Sequence, residues 1–401
     1  MVSLPFVTGA VMKIVLAPNA LKGSCSARAA AVAMARGVRR VMPEAELLAL
    51  PVADGGDGVL ELMIQVLGAE RLSFTVTGPR FAPVMADLAW LPRRRLALIE
   101  MALASGLSLL PPALRDPMAT TSLGTGELMR AALDLGAETL VVGIGGSATN
   151  DGGMGMATAL GYRFLDAQGQ PVAPTGAGLA AIARIDDLGR DPRLERVRVE
   201  VACDVDNPLT GPHGAAVVYG PQKGAGPAQV EQLDAGLDHL ACLVEGDGRP
   251  GQVPLRDQAG AGAAGGLGFG LLVFCGATLG SGAARVLDLL DFDRLLEGAD
   301  LVLTAEGRLD GQTLAGKAPL LVAERARRLG IPCLALAGEL GPGLKGLHEA
   351  GISAAVGLCP GPLTLTEAMA RSEELLAATA EQIGRIWLAA RMSCTRKRRL
   401  S

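Results

Sequence analysis

A glycine-rich segment with small polar residues is the first candidate for chemistry. Residues 143–153 read GIGGSATNDGG and directly follow the apolar run TLVV. Glycine lets the backbone come close to a ligand, and hydroxyl, amide and carboxyl groups suit an anion and its metal ion. We predict a phosphate- or substrate-binding loop here, with a purely structural turn as the alternative. The candidate binding residues are Gly145, Gly146, Ser147, Asn150 and Asp151.

Two familiar nucleotide-binding patterns fit the sequence poorly. Residues 143–148 match the GxGxxG/A dinucleotide fingerprint, but no acidic residue ends a strand about 20 residues later, and Asp166 precedes a turn. An NAD(P)-dependent oxidoreductase is therefore the weaker alternative. Residues 311–318 have the spacing of a P-loop, but Ala318 stands where the metal-binding hydroxyl belongs. The P-loop interpretation is rejected.

Acidic and cationic residues recur at the ends of apolar runs. The acidic groups lie in VADGGDG, VEVACDVDN and TAEGRLDGQ, and glycine neighbours the cations in NALKGS, GPQKGA and EGRLD. Converging carboxylates can hold Mg²⁺ and accept a hydroxyl proton, while Lys and Arg can grip a phosphate or a carboxylate. The three histidines, His213, His239 and His348, form no nucleophile–base pattern, and GxSxG is absent. This set favours phosphoryl transfer over hydrolysis by a nucleophile.

Composition narrows the class of protein further. The chain has 401 residues, 49% of them apolar, with a net charge of −4 and an isoelectric point near 5.6. These values argue against nucleic acid or an anionic membrane as the partner. The seven cysteines show no metal-ligand spacing, which fits a reducing cytoplasm. The opening MVSLPFVTGAV disfavours a signal peptide, and we predict no membrane span. A small-ligand-binding regulator is the non-enzymatic alternative, but the sequence has no DNA-binding element to support it.

Strand-like and helix-like runs alternate along the chain, which predicts the α/β class. KIVLAP, AELLALPVA, ETLVVGI, ADLVLTAEG and IPCLALAGEL read as buried parallel strands, with amphipathic helices between them. We predict a discontinuous Rossmann-like parallel-sheet domain over residues 12–72, 118–162 and 286–390. A mixed α/β domain, residues 73–117 and 163–285, is inserted into it, with the active site in the cleft. Residues 260–270, GAGAAGGLGFG, are either a phosphate cradle or a close-packed helix.

Nine motifs in a fixed order resemble those of one family, the two-domain bacterial glycerate kinases. They are PNALKGS, VADGGDG, IEMALASGL, TTSLGTGEL, GIGGSATNDGG, CDVDNPLTG, GPQKGA, GAAGG and EGRLDGQTLAGK. The resemblance covers Met12 to about residue 385. It implies two α/β domains and an ATP-dependent, Mg²⁺-requiring kinase that phosphorylates D-glycerate. The 2-hydroxyl is the expected acceptor, with a glycerate 3-kinase as the alternative, and a homo-oligomer stays open.

We infer roles for individual residues from their positions and chemistry. Asp204 is predicted to take the proton of the acceptor hydroxyl, and Arg308 to bind the glycerate carboxylate through its fork of donors. Asp206 and Asn207 are predicted to contact the substrate beside Asp204. The remaining predictions are Lys22 and Lys223, with the glycine loop, for the nucleotide phosphates, and Asp54 and Asp310 for the metal ion.

Overall fold

The computed structural model describes residues 11–52, 58–246 and 253–398. The chain divides into two compact units. The first unit comprises Met1–Ala53 and Val286–Ser401, and the second comprises Asp54–Arg285. None of the described helices combines the length and the apolar character that crossing a membrane requires.

The strands of the described chain are numbered in order. They are β1 (Lys13–Leu16), β2 (Glu46–Ala49), β3 (Glu70–Thr77), β4 (Pro83–Leu91), β5 (Leu96–Glu100), β6 (Thr139–Gly143), β7 (Arg163–Leu165), β8 (Arg184–Asp186), β9 (Arg198–Ala202), β10 (Thr278–Gly280), β11 (Leu301–Leu309), β12 (Cys333–Leu340) and β13 (Ile352–Gly357).

The α-helices are numbered in the same way. They are α1 (Ala27–Arg39), α2 (Val59–Leu67), α3 (Ala102–Ser105), α4 (Leu123–Asp134), α5 (Met154–Ala159), α6 (Ala215–Tyr219), α7 (Pro227–Glu245), α8 (Ala263–Cys275), α9 (Gly282–Leu289), α10 (Phe292–Leu296), α11 (Ala318–Arg328), α12 (Leu344–Ala350), α13 (Leu365–Ala370) and α14 (Ser372–Arg398). Short 3₁₀ turns join several of them, including Pro221–Lys223 and Gly311–Ala315.

The first unit contains a five-stranded parallel sheet in the order β13-β12-β11-β1-β2. Its central strands are apolar on both faces, and Ile14, Leu16 and Leu303 are fully buried. Helices α1 and α14 pack closely because α1 has a glycine at the contact. A Cβ on Gly37 would lie 2.0 Å from the carbonyl oxygen of Ala377. The predicted parallel strands of this sheet are confirmed.

The second unit contains a six-stranded mixed sheet in the order β10-β9-β6-β5-β4-β3. β5, β6, β9 and β10 run parallel, while β3 and β4 form an antiparallel edge. One apolar core joins this sheet to α4, α5, α7 and α8, with Ile99, Leu140 and Val201 among its buried members. The mixed character predicted for residues 73–117 is confirmed in this edge.

The α/β class is confirmed, but the predicted domain boundaries need correction. Residues 118–162 were expected in the first domain, yet β6 pairs with β5 and β9 and lies in the second unit. α2 and the start of β3, within the predicted 12–72 segment, also belong to the second unit. β6 is buried on both faces like the strands of the first sheet, so its residues alone do not indicate which sheet it joins.

Candidate active site

Three neighbouring parallel strands of the second unit end at the same edge of its sheet. Glu100 of β5 is the register partner of Gly143 of β6, which in turn pairs with Ala202 of β9. Adjacent strands lie about 4.8 Å apart, so the segments that follow them start side by side. The glycine loop follows β6, and Asp204 lies two residues beyond the end of β9. Two of the predicted elements therefore share one edge.

Gly145 and Gly146 form an exposed turn directly after β6. Gly146 has a φ of +73°, which glycine adopts without strain, and its carbonyl accepts a hydrogen bond from the Leu107 N–H at 2.8 Å. Among the described groups, none accepts a hydrogen bond from the N–H of Gly145 or Gly146. Exposed backbone donors in such a turn suit an oxyanion, as the loop prediction requires.

The following glycines serve packing. Gly152 and Gly153 have φ values of +61° and +77°, and they lie against the glycine-rich start of α8. A Cβ on Gly265, whose φ is +69°, would lie 2.0 Å from the carbonyl oxygen of Thr149. Residues 260–270 are buried throughout. The close-packed alternative therefore describes this segment, and the second half of the loop is a structural turn.

Asp151 is fully buried, and its carboxylate is used inside the loop. It accepts hydrogen bonds from the Ser122 N–H at 2.7 Å, the Ser122 hydroxyl at 2.8 Å, and the N–H groups of Gly153 and Gly155, both at 3.1 Å. Burial raises the pKa of Asp151, and these four hydrogen bonds oppose the rise. The carboxylate ties the starts of α4 and α5 together. Its predicted phosphate contact gains no support from this geometry, which indicates a positioning role.

Lys223 is also buried, with 2% of its surface exposed. Its Nζ donates hydrogen bonds to the Ser147 hydroxyl at 2.8 Å and the Thr149 carbonyl at 2.7 Å. Burial lowers the pKa of Lys223 to about 7, and the charge of Asp151 opposes this effect. Lys223 therefore holds the glycine loop from the 3₁₀ turn Pro221–Lys223, and a direct phosphate contact stays a prediction.

The residues predicted for catalysis and substrate binding, Asp204, Asp206 and Asn207, follow β9. β9 ends at Ala202, so Asp204 and Asp206 lie in a loop and do not share a strand face. Both are exposed, and Asp204 Oδ1 accepts a hydrogen bond at 3.0 Å from the N–H of Gly282, the first residue of α9.

The Asn207 side chain stabilises its own loop. Its Oδ1 accepts from the Tyr219 hydroxyl at 2.5 Å, and its Nδ2 donates to the His213 carbonyl at 2.8 Å. Both ends of the amide are thus engaged within the second unit. A substrate contact of Asn207 stays a prediction, because these partners would have to be exchanged.

The other predicted residues lie in the first unit. Arg308, on β11, is exposed, and its Nε pairs with Asp310 at 2.8 Å while its Nη1 lies 3.5 Å from Glu339. The carboxylate-binding prediction for Arg308 is untested, but its guanidinium already has carboxylate partners. Lys22 is exposed in the turn that the Leu21–Cys25 backbone hydrogen bonds close. Asp54 lies outside the described residues.

Two buried acids that end apolar runs of the sequence lie outside the predicted set of site residues. Glu100 accepts a 2.7 Å hydrogen bond from the Leu60 N–H in the first turn of α2. Glu306 of β11 accepts one at 2.9 Å from the Asn19 amide, just after β1. Each acid ends an apolar run, LALIE or LVLTAE, which is the same signal that indicated Asp204. Burial, which the sequence does not display, separates these positioning groups from the exposed Asp204.

The described residues offer no ready-made metal cage. No three His, Cys, Asp or Glu side chains come together among them. Mg²⁺ typically keeps several waters and binds through one or two carboxylates and substrate phosphates. Asp310 would have to exchange its pairing with Arg308 to serve as a ligand.

Comparison with known proteins places this arrangement in a family. A profile of the glycerate kinase family matches residues 14–388. A glycerate kinase of Bacillus subtilis (strain 168) is 46% identical over 372 residues, covering 93% of this chain and 97% of the relative. A glycerate 2-kinase of Escherichia coli (strain K12) is 44% identical over 358 residues, covering 89% and 93%.

A solved structure agrees with these sequence relatives. A crystal structure of a protein assigned as glycerate kinase 2 from Salmonella typhimurium LT2 superposes with a TM-score of 0.84 at 46% identity, covering 95% of this chain and all of that one. The α/β fold thus belongs to an enzyme of the kinase class. The chain belongs to the glycerate kinase family.

Proposed function

We propose that the protein transfers the γ-phosphoryl group of ATP to the 2-hydroxyl of D-glycerate, giving 2-phosphoglycerate and ADP. Family membership supports the kinase reaction and the acid substrate. The E. coli relative, which bears the name glycerate 2-kinase, supports the choice of the 2-hydroxyl. The 3-hydroxyl is the competing acceptor, and it would give 3-phosphoglycerate.

The observation that carries this proposal is the shared edge of β6 and β9. The unengaged N–H groups of Gly145 and Gly146 offer donors to phosphate oxygens, and the exposed Asp204 carboxylate offers an acceptor for a proton. Phosphoryl transfer needs mainly positioning and neutralisation of charge, so donors and a proton acceptor at one edge meet its main demands.

In the proposed step, the acceptor hydroxyl oxygen bonds to the γ-phosphorus while the bond from that phosphorus to the bridging oxygen of ADP breaks. The hydroxyl proton passes to the Asp204 carboxylate. The Gly282 N–H holds Asp204 Oδ1, which fixes the orientation of the carboxylate for this transfer. ADP leaves with the bridging oxygen, and the proton later returns to solvent.

Buried groups beneath the turn support it without touching the reacting atoms. Lys223 bonds Ser147 and Thr149, and Asp151 anchors the loop to the starts of α4 and α5. These contacts fix the glycine turn in place before substrate binds, which lowers the cost of organising the site. The exposed Lys22 is the first-unit cation that we assign to nucleotide phosphates.

The metal ion enters as part of the substrate, Mg–ATP. Bound Mg²⁺ neutralises charge on the β- and γ-phosphate oxygens. Asp54 and Asp310 are the candidate side chains for holding it. Asp310 is buried and forms an ion pair with Arg308. A test of metal binding must therefore compare a variant that lacks the Asp310 carboxylate with one that lacks only the Arg308 guanidinium.

Product analysis tests the proposed function directly. The purified protein is incubated with Mg–ATP and D-glycerate, and the products are followed by phosphorus NMR. We expect equal amounts of ADP and 2-phosphoglycerate. Formation of 3-phosphoglycerate would overturn the regiochemistry, and ATP that stays intact, or is only hydrolysed, would overturn the function. In a parallel reaction NAD⁺ and NADP⁺ replace ATP, and we expect no NADH, NADPH or oxidised acid to form.

A further inference from the structure

Most of the buried polar atoms without partners belong to two residues of the second unit. In the described chain, four buried side-chain nitrogen or oxygen atoms lack a hydrogen-bond partner: Asn150 Oδ1, Asn150 Nδ2, Arg115 Nε and Trp387 Nε1. Such atoms are costly, so each one calls for an explanation such as a ligand or a bound water. Three of the four belong to Asn150 and Arg115, while Trp387 lies in the first unit.

Asn150 and Arg115 belong to segments that pack together. A Cβ on Gly176 would lie 2.5 Å from the Pro117 carbonyl oxygen and 3.1 Å from the Asn150 carbonyl oxygen, so this glycine separates the two segments. On the other side, a Cβ on Gly224 would lie 2.4 Å from the Arg115 carbonyl oxygen. The residue before Gly224 is the lysine that bonds the glycine loop at Thr149.

Arg115 also lacks a charge partner. Its side chain is partly exposed, and within the described residues it forms no ion pair. Other half-buried arginines of the second unit do have partners: Arg256, for example, binds both Asp238 and Glu245. A guanidinium presents a fork of donors that matches a carboxylate. Arg115 therefore has the chemistry of an anion-binding residue with no anion of its own.

The Asn150 amide restricts the ligand further. Its side chain is fully buried, and both its donor and its acceptor are unpaired. A phosphate or carboxylate oxygen can satisfy the donor, but Oδ1 needs a group that donates. A hydroxyl group can do both. A ligand that satisfies both Arg115 and Asn150 thus carries an anionic group and a hydroxyl group, as a hydroxy acid does.

We propose that Arg115 and Asn150 recognise the hydroxy-acid substrate, Arg115 through the carboxylate and Asn150 through a hydroxyl group. The inference rests on the proposed function and gives it a substrate subsite in the second unit. It assigns to Arg115 the part first predicted for Arg308, whose guanidinium pairs with Asp310.

The test separates substrate recognition from structural support. Asn150→Leu and Arg115→Met are assayed for the KM of D-glycerate, the KM of ATP and Tm. We expect the KM of D-glycerate to rise at least tenfold in each variant, while the KM of ATP changes less than about twofold. We expect the Tm of Asn150→Leu to stay level or rise by roughly 2–4 °C, because two unpaired buried atoms are removed.

Trp387→Phe is the matched control, because it removes the remaining unpaired buried atom from the other unit. It should keep both KM values while its Tm stays level or rises. If Asn150→Leu does not fold, Asn150→Asp keeps the shape and removes the donor, and the same rise in the KM of D-glycerate is expected.

Several outcomes would overturn the inference. An unchanged KM of D-glycerate, with a lower Tm for Asn150→Leu, would show that the amide only holds a buried water. Equal increases in both KM values would show a general disturbance of the loop. If the unmodified enzyme phosphorylates D-glycerate but its variants behave in either way, this subsite fails while the proposed function stands. If the unmodified enzyme neither binds D-glycerate by calorimetry nor phosphorylates it, the proposed function itself fails.

Discussion

The buried ammonium of Lys223 predicts an unusual dependence of stability on pH. Its pKa is lowered from 10.5 to about 7 in the folded protein because the group is buried. Between these two values the unfolded chain keeps a proton that the folded chain has lost. Stability therefore rises with pH across this range. Lys223→Met, which keeps an unbranched chain without the charge, should abolish this contribution.

The magnitude follows from the shift. A single group with pKa values of 7 folded and 10.5 unfolded adds about 2 kcal/mol to the free energy of unfolding between pH 7 and pH 9. The stability of Lys223→Met relative to the parent should therefore fall by about 2 kcal/mol over the same interval. Asp151, whose pKa is raised by burial, is present in both proteins, so the comparison largely cancels its own titration.

The assay can be restricted to the second unit. The chain has two tryptophans, Trp90 on β4 and Trp387 on α14. In a Trp387→Phe background, the fluorescence of Trp90 reports on the unit that contains Lys223. Urea unfolding of both proteins at pH 7 and pH 9, at matched ionic strength, gives the four free energies. A stability difference that stays the same at the two pH values, within about 0.5 kcal/mol, would refute the reasoning.

Three further predictions follow from the site. Asp204→Asn should lower kcat by about 10²- to 10⁴-fold at saturating substrates, because the proton acceptor is lost. If steady-state kinetics show that most of the turnover is retained, Asp204 is not the base. Gly265 and Gly276 both have a positive φ, but only a Cβ on Gly265 would clash, with the Thr149 carbonyl oxygen. In urea unfolding, Gly276→Ala should therefore cost ~1 kcal/mol, and Gly265→Ala should destabilise the second unit by several times as much. Arg308→Met should change the KM of D-glycerate less than Arg115→Met does, and the reverse order would return the carboxylate to Arg308.

The sequence predicted the strands well, because the buried parallel strands are short apolar runs. KIVLAP, ADLVLTAEG and IPCLALAGEL all became strands of one sheet. It did not predict the sheet to which ETLVVGI belongs. That choice depends on pairing between distant residues, and β6 is equally apolar on both faces.

The sequence predicted where the candidate site lies better than it predicted what each residue does there. The exposed turn at Gly145 and Gly146 and the exposed Asp204 lie at strand ends, as the glycine and acid signals indicated. Asp151 and Lys223 have the same residue types as ligand-binding groups, but burial and short internal hydrogen bonds turn them inward. Arg115 gave no signal, because its significance lies in a missing partner that only the packed structure reveals.

A crystal structure with Mg²⁺ and a non-hydrolysable ATP analogue would show whether the glycine turn binds the triphosphate. We expect phosphate oxygens within hydrogen-bond distance of the Gly145 or Gly146 N–H, at the edge where β6 and β9 end. A triphosphate bound away from this turn, with both N–H groups facing only solvent, would contradict it.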